Sequence, residues 1–522
     1  MARTAQALVL ANMPEAFVSN TATSAAVWRA FRAGRLRKLG SRLYTTNMTD
    51  PPETVVRRNL WQIAAGYFPG GLIVDRTALE NMPAPDGSVC LVSLRGSDVE
   101  LPGLVLRPRR GPGPLDSDRP FLSSLFLSSA ARAWLENTRP SRARGDRLPR
   151  TLPRRELEDR LDTLIRRGGE EGASRLREEI RAVAPQLGLE DAAAELDRLI
   201  GALLGTKETT LSAPAARARA RGRPYDPHRM DLFQTLHRAL RDYPPTSRPA
   251  LEKPPEGRAA LAFYEAYFSN FIEGTEFEVG EAADIVFRGV IPRERPSDAH
   301  DVLGTWAVVS DERGMRRVAS GAKAFGELLR DRHAWMMQGR PETGPGRFKT
   351  AENRAGSTVF VAPGLVEGTL ERGFDFVRSL ETPFQRAVFM KFLVSEVHPF
   401  ADGNGRVARV MMNAELVAAG EERIVIPTAF RNNYLSALRA LSRNGRPEAL
   451  IRALDYAQRW TRAIEWRAVA STGRELEACH AFLQPDEAEE TGRMLRFPER
   501  HGERLDVPEE MPDTQARARE TV

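Results

Sequence analysis

The run HPFADGNGRVAR, His398 to Arg409, decides how the C-terminal half of this 522-residue chain folds. It joins a titratable base, a carboxylate, a glycine-flanked turn and two arginines. The sequence on both sides is helical in its periodicity. Upstream, PFQRAVFMKFLVSEV (Pro383 to Val397) spaces Val388, Phe389, Phe392, Leu393 and Val397 as one helix face would. Downstream, RVARVMMNAELVAAG (Arg406 to Gly420) does the same with Val407, Val410, Met411, Ala414 and Val417, and ends on a glycine suited to a C-cap. The polar run is therefore predicted to be a tight corner between two helices.

Each residue of that corner has a chemical use. Gly403 and Gly405 let the backbone bend sharply and approach a ligand. Their N–H groups, with the N-terminus of the next helix, make a nest for anionic oxygens. Asn404 can add side-chain hydrogen bonds. His398, with an ordinary pKa of about 6.5, can accept a hydroxyl proton near neutrality. Asp402 is a hard oxygen ligand suited to Mg²⁺. Arg406 and Arg409 can neutralise phosphate charge in a directional way. Pro399 restricts His398, and Phe400 reads as a core plug. A lone His-Pro is usually a cap, and a lone Gly-Asn-Gly a turn. Their coincidence with the acid and both arginines, between two helices, favours a site.

The run matches HxFx(D/E)GNGRxxR, and the region resembles the Fic family at those positions. The resemblance implies a mainly α fold, a helical bundle with a β-hairpin flap. It also implies transfer of AMP from ATP·Mg²⁺ to a Ser, Thr or Tyr hydroxyl of a protein. His398 would be the base and Asp402 the metal ligand. Gly403, Asn404 and Gly405 would hold phosphates with help from Arg406, and Arg409 would grip the γ-phosphate. A second run, SNFIEGTEFEV from Ser269, fits (S/T)xxxE(G/N), which resembles the inhibitory motif of the family. Ser269 and Glu273 share a helix face, and Gly274 would close that helix. In the family this glutamate reaches the second signature arginine, here Arg409, so that the nucleotide binds unproductively. GPGRFKTAENRAGSTVFVAP (Gly344 to Pro363) is punctuated like a short hairpin. It stands where Fic proteins have a flap that docks a target by strand pairing, with Lys349 and Thr350 as its candidate residues. Tyr434 occupies a place often aromatic near the nucleotide, although a Tyr on an apolar helix face is more often core.

The N-terminal half reads differently. Residues 1–50 carry Arg3, Arg29, Arg32, Arg35, Arg37, Lys38 and Arg42 against Glu15 and Asp50, an excess of +5 within a net charge of +6. Thr23 to Ala33 is predicted helical, with Val27, Ala30 and Phe31 inward and Gly34 as its end. GRLRKLGSRLYTTN follows as a basic wing with Leu36, Leu39, Leu43 and Tyr44 toward a core. A helix followed by a basic wing suggests a winged helix-turn-helix; such modules also dock proteins, but the charge favours DNA, with Arg29, Arg32, Arg35, Arg37, Lys38 and Arg42 as contacts. Residues 1–240 also resemble, more softly, AbiE-type antitoxins and related regulators, which implies a toxin–antitoxin-like coupling of repression and activity.

The expected organisation is a winged helix-turn-helix over 1–50, a small α/β extension over 51–115 and a helical region over 116–210. A basic linker over 211–244, a Fic domain over 245–470 and a polar, partly disordered tail over 471–522 follow. Within these, a helix is predicted from Thr54 to Tyr67, another from Phe121 to Arg139, and a solvated face for the mixed charges of 120–205. At 42% apolar and 28% charged residues, with no apolar run of spanning length, the chain reads as globular, with no membrane helix and a poor secretory signal. Cys90 and Cys479 are isolated, which suits a reducing cytoplasm; scattered histidines without HExxH give no zinc site. The expected partners are ATP, a hydroxyl-bearing protein, DNA and a second copy in a homodimer. Three alternatives stay open: removal of AMP through water oriented by Glu273; transfer of phosphocholine, UMP or phosphate; and a DNA-binding regulator that only senses nucleotide.

Overall fold

The protein is described here by a computed structural model covering residues 13–94, 96–244, 247–356 and 358–499. Two compact units emerge, Met1–Pro224 and Tyr225–Val522. The chain is mainly helical, with small sheets. No helix among the described residues is long and apolar enough to cross a membrane.

The first unit opens with β1 (Ala16–Val18), α1 (Ser24–Arg32), β2 (Arg37–Gly40) and β3 (Leu43–Thr45), which form a three-stranded sheet in the order β1-β3-β2 beside one helix. Val27, Ala30, Leu36, Leu39 and Leu43 are buried. Phe31 is not: it is exposed, and its ring meets Tyr44 edge-on, 5.9 Å between centroids. The helix predicted from Thr54 to Tyr67 is split at Asn59 into α2 (Pro52–Arg58) and α3 (Leu60–Tyr67). The Asn59 amide donates to Val55 O and to the Glu15 carboxylate, interactions that hold the break.

β4 (Leu72–Ile73), α4 (Asp75–Glu80), β5 (Ser88–Val92), β6 (Val99–Leu101), β7 (Leu104–Arg109), β8 (Arg119–Pro120) and β9 (Phe126–Leu127) follow. Their six-stranded mixed sheet runs β6-β7-β5-β4-β9-β8, so the sheet continues past residue 115. The stretch from Phe121, predicted helical, enters this sheet through β9, parallel to β4. Helix begins only at α5 (Ala130–Thr138), where the Ser129 hydroxyl accepts from Arg132 N, an N-cap. α6 (Arg154–Leu187), interrupted at Gly169, α7 (Glu190–Leu203) and α8 (Pro214–Ala220) pack through Leu161, Leu176, Ile180, Leu196 and Leu199. The mixed charges here are not all solvated. Arg132 is buried against Asp118 and Glu136, Glu158 against Arg154 and the Ser212 and Ala213 N–H groups, and Asp162 against Arg219.

The second unit starts inside the expected linker. α9 (Pro227–Asp242) buries Leu232, Phe233, Leu236 and Leu240 in the bundle core, because its apolar residues recur at helical spacing within a basic sequence. Next come α10 (Pro255–Ile272), α11 (Val279–Arg288), α12 (Pro296–Ser310), α13 (Glu312–Met315) and α14 (Ala322–Met336). A hairpin of β10 (Arg354–Ala355) and β11 (Thr358–Val359) follows, antiparallel with Arg354 opposite Val359. The chain then forms α15 (Val366–Arg378), α16 (Pro383–Val397), α17 (Asn404–Ala418), α18 (Arg431–Asn444), α19 (Glu448–Ala463), α20 (Val469–Ala478) and α21 (Pro485–Thr491). α16 begins at a Thr382/Gln385 capping box and is buried along its whole length, polar Lys391, Ser395 and Glu396 included. Much of the expected tail is structured: Leu495 and Phe497 pack on the bundle, and the Trp460 indole donates to Arg496 O at 3.0 Å. Residues 500–522 lie outside the described residues.

Candidate active site

The polar run joins α16 to α17. His398 is the C-cap of α16 with φ 51° and ψ 60°, the left-handed region. The proline after it favours extended backbone, so this conformation costs about 1–2 kcal/mol. It turns the chain out of α16 in one residue. Nδ1 lies 3.3 Å from Ser395 O. A nitrogen facing a carbonyl carries the proton, which leaves Nε2 as the basic edge. One face of the ring stacks on Phe360, with 3.7 Å between centroids. Burial chiefly, with Lys349 and Lys391 adding, brings the His398 pKa down to about 4. The imidazole is thus a neutral acceptor at pH 7, and the ordinary value of about 6.5 does not apply. Any proton transfer through His398 should therefore hold its rate from pH 8 to pH 6 and lose it only as pH falls toward 4. A rate profile halved near pH 6.5 would contradict this setting.

Gly403, at φ 72°, is the N-cap of α17, and a Cβ there would strike Met337 Sδ. The Asp402 carboxylate accepts from Gly403 N at 2.6 Å, yet its side chain is 46% exposed and so reachable from solvent. Its backbone is pinned from below. His333 Nδ1 accepts from Gly346 N at 2.9 Å, so Nε2 carries the proton and donates to Asp402 O at 3.0 Å. Burial lowers His333 to about 4 as well, and its ring lies flat on Phe400 at 3.6 Å. Asn404 does not offer its side chain to a phosphate. Both amide atoms are spent on Phe400, Oδ1 accepting from its N and Nδ2 donating to its O, each at 2.8 Å. The first-turn N–H groups of α17 remain for an anion. The Glu273 carboxylate occupies that place, so close over Gly405 that a Cβ would overlap it.

The two arginines differ. Arg409 Nε donates to Ser269 Oγ at 2.8 Å, and its Nη2 donates to Ser269 O and to Glu273 Oε1, both at 2.7 Å. Ser269 lies in the last turn of α10, Glu273 is its C-cap, and Gly274 at φ 93° follows. Burial opposes ionisation of Glu273, but Arg409, with Arg406 and Lys391, outweighs it and sets its pKa below the usual range. The Arg409–Glu273 ion pair is therefore present at neutrality and lost only as pH falls below that range. Arg406 is 3% exposed and committed elsewhere: Nη1 pairs with Asp301 Oδ2 at 2.7 Å and Nη2 sits 3.5 Å from Asp402 Oδ1. Both Nη atoms brace the turn, while the buried Nε has no hydrogen-bond partner among the described residues. Arg340 joins the same cluster, 3.2 Å from Asp301 Oδ2.

Lys349 does not face outward to a target. It is buried, and its amine donates to Asn353 Oδ1 at 2.6 Å and Val397 O at 3.5 Å. Thr350 is exposed. Tyr434 is buried in the core with the Lys391 amine 5.3 Å from its ring centroid. In the first unit, Arg29, Arg32, Arg35, Lys38 and Arg42 are exposed, whereas Arg37 is half-buried and donates to Asp50 O at 2.9 Å.

With this geometry in view, residues 326–416 match the family model described as the Fic/DOC family. The chain contains a Fic domain. The protein adenylyltransferase fic-1 of Caenorhabditis elegans is 25% identical over 185 residues, 34% of this chain and 36% of that protein. The protein adenylyltransferase Fic of Drosophila yakuba is 26% identical over 225 residues, 40% of this chain and 44% of that one. The chain thus spans less than half the length of these relatives. Among solved structures, Fic-1 (residues 134–508) from C. elegans aligns with TM-score 0.34 and 20% identity, over 62% of this chain and 97% of that one.

Several residues of the Fic site escape a reading of motifs. Asp301 and Arg340 sit on other elements and carry no local pattern. His333 and Phe360 act by stacking, which leaves no spacing to detect. Lys391 looks like one more residue of a helix face until α16 is seen to be buried on all sides.

Proposed function

We propose that the second unit transfers AMP from ATP to a Ser, Thr or Tyr hydroxyl of a protein, and that Glu273 restrains it. The observation that carries this reading is the arrest of Arg409 by Glu273 directly above the anion nest of α17. A carboxylate there occupies the position of an anionic oxygen and takes up the arginine that would hold the distal phosphate. In the active state His398 Nε2 accepts the hydroxyl proton, the oxygen attacks the α-phosphorus, and pyrophosphate leaves as the P–O bond breaks. The first-turn N–H groups of α17 and Arg409 hold the phosphate charge. Asp402 suits Mg²⁺: it is a partly exposed carboxylate beside the phosphate nest, and Mg²⁺ is commonly held by one or two carboxylates plus substrate phosphates. Mg²⁺ bound there would neutralise phosphate charge. Incubating the full chain with labelled ATP and cell lysate, then finding AMP on protein hydroxyls by mass spectrometry, tests the reading; label absent from every protein, with Glu273→Gly as well as wild type, refutes it.

The first unit supports a second role, contact with nucleic acid. Arg29, Arg32, Arg35, Lys38 and Arg42 cluster on α1 and the β2–β3 hairpin, and none has an ion-pair partner among the described residues. Trp28, 58% exposed, lies under Arg32 at 5.6 Å. Retention of duplex DNA on filters should fall steeply with salt, with a log–log slope of roughly −0.9 per phosphate contacted. A flat salt response would remove this role.

A further inference from the structure

The hairpin does more than stand beside the corner. Phe360 directly follows β11, and its ring lies against the His398 imidazole with 5° between planes and 3.7 Å between centroids. Its N–H donates to Asn353 O at 3.3 Å, closing the base of the hairpin. That base is fastened to the catalytic turn on both sides of His398. Lys349 N donates to Pro399 O at 2.8 Å, and the Asn353 amide donates to Phe400 O at 3.0 Å. The Lys349 amine reaches Val397 O. From α9, Arg229 donates to Val359 O at 2.6 Å and pairs with Glu396 at 3.0 Å. Residues flanking Phe360 and residues flanking His398 are therefore tied to each other, which holds the backbones that carry the two rings in place.

His398 needs such a support. The imidazole's recorded hydrogen bond, 3.3 Å to Ser395 O, is longer than the usual N–H···O range. The residue is a strained C-cap with no helix turn after it to pack its ring.

We propose that Phe360 is a positioning residue for the base: its ring fixes the plane of the imidazole, so that Nε2 points at the incoming hydroxyl, and keeps water off one face. This rests on the AMP-transfer reading for its consequence in rate, but not for its consequence in the histidine itself. The charged groups near the imidazole are Lys349 from the hairpin base, Lys391 from α16 and Glu273 from α10. Replacing a phenyl ring removes none of these charges; the Lys349 amine lies 6.0 Å from the Phe360 centroid, so Phe360→Tyr, which keeps a ring there, is the control.

The test uses the full chain with Glu273→Gly, carrying Phe360→Ala, Phe360→Leu or Phe360→Tyr. With Phe360→Ala, kcat for AMP transfer should fall about 10–100-fold, the scale of an ångström of misplacement, with KM for ATP nearly unchanged. Phe360→Tyr should restore the rate. Phe360→Leu keeps apolar bulk without a stacking plane and should behave like alanine even if alanine loosens the fold. In parallel, the His398 imidazole is titrated by NMR, its signal assigned by loss in His398→Asn. Its titration should move up toward the ordinary histidine range in Phe360→Ala, which uncovers the ring, and stay low in Phe360→Leu and Phe360→Tyr, which keep it covered. An unmoved titration in Phe360→Ala, or a Phe360→Leu rate equal to that of the parent, overturns the proposal. Absence of transfer in every variant, with the titration shifted, would instead count against the AMP-transfer reading and leave the stack standing.

Discussion

Glu273→Gly is expected to raise AMP transfer roughly tenfold or more over the wild-type chain. In the structure the Arg409 guanidinium donates to Ser269 and Glu273 through Nε and Nη2. A charge-assisted hydrogen bond contributes about 1.5–3 kcal/mol. The lower figure suits a glutamate whose side chain is 37% exposed, and 1.4 kcal/mol is a factor of ten. Removing the carboxylate should do two things at once. It frees Nη2 for a phosphate while the Ser269 bonds still aim the guanidinium, and it clears the space over Gly405 at the head of α17. Glycine fits the helix end, because residue 273 is a C-cap already followed by Gly274. Glu273→Gln keeps the shape but loses the charge, so its rate should fall between the two. Intact-mass measurement of self-modified protein after incubation with ATP would read all three. Equal labelling of wild type and Glu273→Gly would remove the lock from the mechanism.

The corner itself was legible because its residues are contiguous. A base, a carboxylate, glycines and arginines within one turn, between two helical stretches, specify a place in the fold as well as a chemistry. Ser269 and Glu273 were legible for a similar reason, since an (i, i+4) pair at a helix end must share a face. What escaped was whatever depends on which partner a side chain finds in three dimensions. Asn404 and Arg406 belong to the run, yet Phe400 claims the first and Asp301 the second, so both shape the loop. Lys349 looked like an exposed hairpin residue and is a buried tie to Val397 and Asn353. The basic stretch before the bundle hid α9, because arginines between its apolar positions disguised a helix that buries Phe233 and Leu236. Phe31, read as inward from helical spacing alone, is exposed beside a sheet of only three short strands.

Loss of the His398 imidazole should produce the larger effect, a fall of about 10²–10⁴-fold in transfer, the usual contribution of a positioned general base. Nucleotide affinity should hardly change, because none of the ring's recorded contacts involves Arg409 or the first turn of α17; it touches Ser395 O and Phe360. The choice of substitute matters. His398 has φ 51°, so alanine there adds backbone strain to the loss of the base. Asparagine tolerates the left-handed region better and cannot act as a base at neutral pH. A drop shared by His398→Ala and His398→Asn, with ATP binding retained in calorimetry, would assign the effect to the imidazole. A near-normal rate in His398→Asn would mean that the proton leaves by another route and that the conformation of residue 398, not its basicity, is what the corner supplies.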